Sequence, residues 1–169
     1  MWTGGVIILI MLSLIGSMMW AMPTRREKAQ AQLRSRARTL GMHVQLVRLE
    51  APRATGESDP QEYSCAAYRL LRKGLSASER ERLRPWQVFR TRSLACEGLP
   101  DGWSWKLGER MLASSPLGML AEALQRVPQG VIALESTPLH VTAFWDERGG
   151  LDELDRIADS LQRIADQNV

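Results

Sequence analysis

No Asp, Glu, Lys, Arg or His occurs between Met1 and Thr24. The stretch 2–22 reads WTGGVIILIMLSLIGSMMWAM. As a helix it would extend ~31 Å, close to the ~30 Å hydrocarbon thickness of a bilayer. Trp2 and Trp20 would lie ~27 Å apart along that axis, where indole rings favour the two headgroup boundaries. A secretory leader carries positive charge ahead of its apolar core, and nothing charged precedes this one. A buried helix rarely runs this far without a polar face. The sequence therefore predicts an uncleaved transmembrane helix over residues 1–23. Ser13 and Ser17 have the small-xxx-small spacing that permits homo-oligomer contacts between such helices.

Charge returns abruptly. Arg25, Arg26, Lys28, Arg34, Arg36 and Arg38 follow within a few turns, against the single acid Glu27. Basic flanks stay on the cytoplasmic side, so in a bacterial inner membrane the short N-terminus points outward and the rest is cytoplasmic. Residues 24–41 are predicted to form a basic juxtamembrane helix with a narrow stripe of Ala29, Leu33, Ala37 and Leu40. Its six cations are expected to contact lipid headgroups, each contributing about 1 kcal/mol near an anionic leaflet. Residues 24–40 contain no aromatic ring to stack on a base, so nucleic acid is not an expected partner.

The remaining 42–169 stretch suffices for one compact core. Strands are predicted over 42–50, 62–72, 86–94, 103–107, 131–135 and 139–145, and short charged structure over 76–83. Helices are predicted over 116–127, capped by Ser115, and over 151–167, where Leu154, Ile157, Leu161 and Ile164 form one face. Consecutive strands without intervening helices imply an α+β domain, with a mainly antiparallel sheet and two packed helices.

Chemistry is not legible. His43 and His140 have no metal-ligand spacing around them, and no phosphate-binding loop or nucleophile elbow occurs. No cofactor or metal is expected. Cys65 and Cys96 are both predicted within strands as buried thiols. Trp103, Trp105, Arg90 and Arg92 combine the residue types that anchor protein interfaces, so they form the candidate partner surface. The expected role is a non-catalytic interaction or assembly module that engages a protein partner at the membrane. Two alternatives remain: an envelope-complex subunit with its domain on the extracytoplasmic side, and an enzyme whose site is assembled from scattered residues.

Overall fold

The computed structural model describes residues 2–20 and 24–167, and of residues 17–20 the backbone alone. Contacts divide the chain into Met1–Gln32 and Leu33–Val169. The division falls inside the helix that begins at Arg25.

In the first unit, α1 (Trp2–Trp20) is helical throughout. Its large hydrophobic side chains between positions 6 and 15 are 54–72% exposed. Among the described residues, no helix is long and apolar enough to cross a membrane. The structure thus supports a helix here, but not the further step to a transmembrane one. Residues 21–23 of the expected stretch lie outside the described residues.

Helix α2 (Arg25–Thr39) opens with a reciprocal cap. The Glu27 amide donates to Thr24 Oγ1 at 3.2 Å, and the Thr24 amide to Glu27 Oε2 at 2.7 Å. Gly41 turns the chain at φ +78°, a conformation glycine adopts without steric cost.

The second unit is a mixed α+β fold. Six strands, β1 (Met42–Glu50), β2 (Glu62–Leu71), β3 (Trp86–Phe89), β4 (Ser104–Leu107), β5 (Val131–Ser136) and β6 (His140–Trp145), form one sheet in the order β1-β2-β6-β5-β3-β4. Every neighbouring pair is antiparallel. The short helix α3 (Ala77–Arg82) joins β2 to β3 and is capped by Ser76 with Glu79 in return. Helix α4 (Ser114–Arg126) begins earlier than expected, with Ala113 in the capping position. Pro116 remains in its first turn, where the missing N–H is no loss. Helix α5 (Leu151–Asp166) buries Leu154, Ile157, Leu161 and Ile164, the face its spacing predicts.

Alternation sorts the strand residues into two layers. Ala66, Tyr68, Val88, Leu134, Val141, Ala143 and Trp145 pack with α4, α5 and the second half of α2 in the main core. Three helices therefore supply this layer, one more than expected, because Leu33 and Ala37 of α2 are buried. The opposite face carries a smaller cluster of Ala51, Cys65, Ala67, Phe89, Ala133 and Phe144. Trp145 requires two glycines beside it. A Cβ on Gly130 would lie 2.8 Å from its Nε1, and one on Gly149 2.8 Å from its Cζ2.

The third predicted strand is shorter than expected. Beyond Phe89 one further ladder bond forms, from the Arg90 amide to the Ile132 carbonyl, and the chain then leaves the sheet. The Arg92 carbonyl instead accepts from the Thr55 amide at 2.8 Å, tying this segment to the β1–β2 connection. Cys96 consequently lies in an exposed loop, not a strand, while Cys65 is buried in β2.

Candidate interaction surfaces

The six cations between positions 25 and 38 separate into two groups. Arg25, Arg26, Lys28 and Arg38 are exposed. Arg34 is not an open lipid contact: its Nε donates to Glu147 Oε1 at 2.8 Å and its terminal nitrogen to Oε2 at 2.6 Å. This is the fork-on-fork geometry that only a planar guanidinium offers a carboxylate. The Glu147 side chain is 3% exposed, and it also accepts from the Tyr68 hydroxyl at 2.8 Å. The hydrogen bond from Arg34 to Glu147 holds the guanidinium above its ordinary pKa, against a smaller opposing effect of burial. Burial, followed by the bond to Glu147, pushes the Tyr68 phenol far up, so it stays a neutral donor. Arg36 is a weaker case, bonded to Asp155 Oδ1 of α5 at 3.3 Å with both side chains nearly half exposed.

Glu147 is the residue that sequence reasoning missed. It follows β6 in a left-handed conformation, φ +56°, that non-glycine residues seldom adopt. The Asp146–Arg148 stretch before Gly149 and Gly150 reads as an ordinary charged turn, so nothing local marks one acid as buried. Arg72 was missed for the same reason. It is 8% exposed and donates to the Thr137 and Ala165 carbonyls and to Ser136 Oγ.

At the candidate partner surface of Trp103, Trp105, Arg90 and Arg92, three of the four side chains face inward. Trp103 and Trp105 are each 3% exposed. Trp105 donates its Nε1–H to the Glu97 carbonyl at 3.0 Å and meets Trp86 edge-on. Arg90 lies over the Trp103 ring, 4.6 Å from its centroid, and donates to the Val131 and Pro128 carbonyls at 2.9 Å. Its guanidinium therefore serves the carbonyls that follow α4, and burial lowers its pKa. Arg92 alone is exposed, paired at 3.0 Å with the equally exposed Asp101. Adjacent arginines and tryptophans look alike in sequence whether they face a partner or each other.

On the sheet face away from the helices, one cross-strand row reads His43, Arg69, Thr142, Glu135 and Gln87 from β1 to β3. Arg69 donates to Gln45 Oε1 at 3.1 Å, and Gln87 to Glu135 Oε2 at 3.0 Å. Burial raises the pKa of Glu135, with Arg69 opposing. His140 lies within 3.1 Å of the Thr142 hydroxyl, and burial lowers its pKa. This is the one hydroxyl–imidazole contact among the described residues, and Thr142 is wholly buried, so its oxygen cannot meet a substrate. His43 is exposed. No group of three or more His, Cys, Asp or Glu residues could hold a metal ion among the described residues. Burial pushes the Cys65 thiol up to about 11, the opposite of what a nucleophile requires.

A cleft of about 360 Å³ opens beside Trp105, lined by Glu97, Arg110, Leu112, Ser114 and Leu117. Its acid and its base neutralise each other, with Arg110 Nε 2.6 Å from Glu97 Oε2. No family model, curated protein or solved structure matches the chain.

Proposed function

We propose that the chain is a single-pass inner-membrane protein whose α+β domain acts on the cytoplasmic side as a non-catalytic interaction or assembly module. The observation that carries the reading is α1. A charge-free helix of 19 residues, ~28 Å long, leaves its large apolar side chains between positions 6 and 15 more than half exposed. Soluble monomers rarely leave so large an apolar surface in water, and lipid removes the cost. Trp2 and Trp20 then sit near the two headgroup boundaries. Arg25, Arg26, Lys28 and Arg38 supply the headgroup contacts and keep the domain from crossing. Arg34 drops out of that set because Glu147 already holds it.

An assembly role is favoured by how the domain uses its polar groups. One buried charged cluster, Arg34, Glu147 and Tyr68, fixes the second half of α2 onto the sheet instead of facing a substrate.

Cys96 makes the proposal testable, because it is exposed while Cys65 is buried. An impermeant maleimide should label Cys96 in inverted membrane vesicles without detergent, and in right-side-out vesicles only after detergent. Labelling of right-side-out vesicles would instead place the domain outside, as in an envelope-complex subunit. Failure of the protein to float with either vesicle population would remove the membrane reading altogether.

A further inference from the structure

A cleft of about 300 Å³ opens where β6 gives way to α5. Trp145, the last residue of β6 and 1% exposed, lines it. Gly130 and Gly149 keep it open: a Cβ on the first would crowd the indole Nε1, and one on the second would crowd Cζ2. The Trp145 Nε1–H donates to no group among the described residues. A buried indole N–H ordinarily finds an acceptor, as that of Trp105 does at the Glu97 carbonyl. The Trp86 N–H lacks one too, but it is sealed in the core, whereas Trp145 borders the cleft.

Charged donors flank the ring. Arg148 Nε is 3.6 Å from Asp146 Oδ2, too far for a hydrogen bond, and its side chain is 76% exposed. Arg156 of α5 reaches Glu153 Oε1 at 3.3 Å through one terminal nitrogen. The two acids beside these arginines are engaged with backbone. Asp146 Oδ1 accepts from the Arg148 amide at 3.0 Å, and Glu153 Oε2 caps α5 through the Gly150 amide at 2.8 Å. An indole and two guanidinium groups can only donate, so an acceptor is what the cleft lacks.

We propose that this cleft binds a phosphate group, with the Trp145 Nε1–H donating to one oxygen and Arg148 and Arg156 to others. A tetrahedral oxyanion accepts from several directions, which suits donors delivered separately by β6, the turn after it and α5. A planar carboxylate would match one guanidinium fork only. Asp146 and Glu153 balance the two arginines in formal charge, so the directed N–H groups supply the affinity. The phosphate belongs to a lipid headgroup or to a soluble compound, and only the first source rests on the membrane reading.

The test follows the indole N–H resonances of the full chain, isotope-labelled on nitrogen, in maltoside micelles. The Trp145 signal is the one that disappears in Trp145→Phe. Inorganic phosphate, at an ionic strength held constant with chloride, should shift that signal saturably and leave the other indoles in place. Arg148→Gln alters an exposed side chain, so it should keep the circular dichroism spectrum and weaken the titration about tenfold, the loss of one charge-assisted hydrogen bond. Phosphatidylglycerol added without inorganic phosphate forms the second arm. A shift there identifies a lipid headgroup as a source, and a shift with inorganic phosphate alone identifies a soluble one. No shift in either arm, an equal shift with chloride, or an unaltered titration in Arg148→Gln would each overturn the proposal. The inorganic-phosphate arm needs no bilayer, so its failure is distinguishable from failure of the membrane reading.

Discussion

The two halves of α2 carry similar sequences and do different things. Residues 25–32 hold Arg25, Arg26 and Lys28, all exposed. Residues 33–39 hold Arg34, Arg36 and Arg38, yet Leu33 and Ala37 are buried and Arg34 is clamped by Glu147. Charge density alone does not separate the halves. Burial along the apolar stripe does: Ala29 is exposed, whereas Leu33 and Ala37, one and two turns later, are buried. A basic amphipathic segment can thus be part docking element and part open surface, with the change of role inside one continuous helix.

Substitutions along this helix and at its receptors should reproduce that division. The largest effect is expected at Glu147→Ala, which strands a guanidinium and a phenol at once. Breaking a buried pair costs about 3–5 kcal/mol, and the lower end applies because the Arg34 side chain is 30% exposed and can turn to water. Urea unfolding of the full chain in mild detergent, followed by tryptophan fluorescence, should show the lowered midpoint. A midpoint within error of wild type would mean that the clamp does not hold α2. Leu33→Ala should follow at about 2–3 kcal/mol, since it opens a cavity between α2 and the sheet. The same assay reads it, and a negligible loss would place the docked half of α2 with the open half. Tyr68→Phe removes one of three hydrogen bonds to Glu147 and should cost about 1 kcal/mol. Arg34→Ala combined with Tyr68→Phe should depart from additivity, because both bond the same carboxylate. The smallest effect on stability is expected from Arg25→Gln, Arg26→Gln and Lys28→Gln together, with no shift in midpoint. They should weaken binding to anionic vesicles in a salt-sensitive way, by roughly fivefold per charge. Loss of stability without loss of vesicle binding would reverse the assignment of the two halves.

Much of the domain was legible because its strands and helices obey their own periods. β1 and α5 match expectation almost to the residue, the first by alternation and the second by its three-and-four spacing. Elements misjudged were those whose ends depend on distant residues. β3 stops at Phe89 because Arg92 is recruited by Thr55, and α4 starts at Ser114 without a side-chain cap at Ala113. The candidate site was less legible, for a related reason. Arg34 and Glu147 are 113 positions apart, and neither neighbourhood betrays the other. Trp103 and Trp105 carried the composition of an interface and proved to be core, because Arg90 can satisfy backbone carbonyls while stacking on a ring.

The central claim, that lipid covers α1, is tested most directly by alkaline carbonate extraction of membranes from cells expressing the full chain, alongside a chain lacking residues 1–22. The account predicts that the full chain stays in the pellet and floats in a density gradient, while the shortened chain is released to the supernatant. Recovery of the full chain in the supernatant, at the same level as the shortened one, would contradict it.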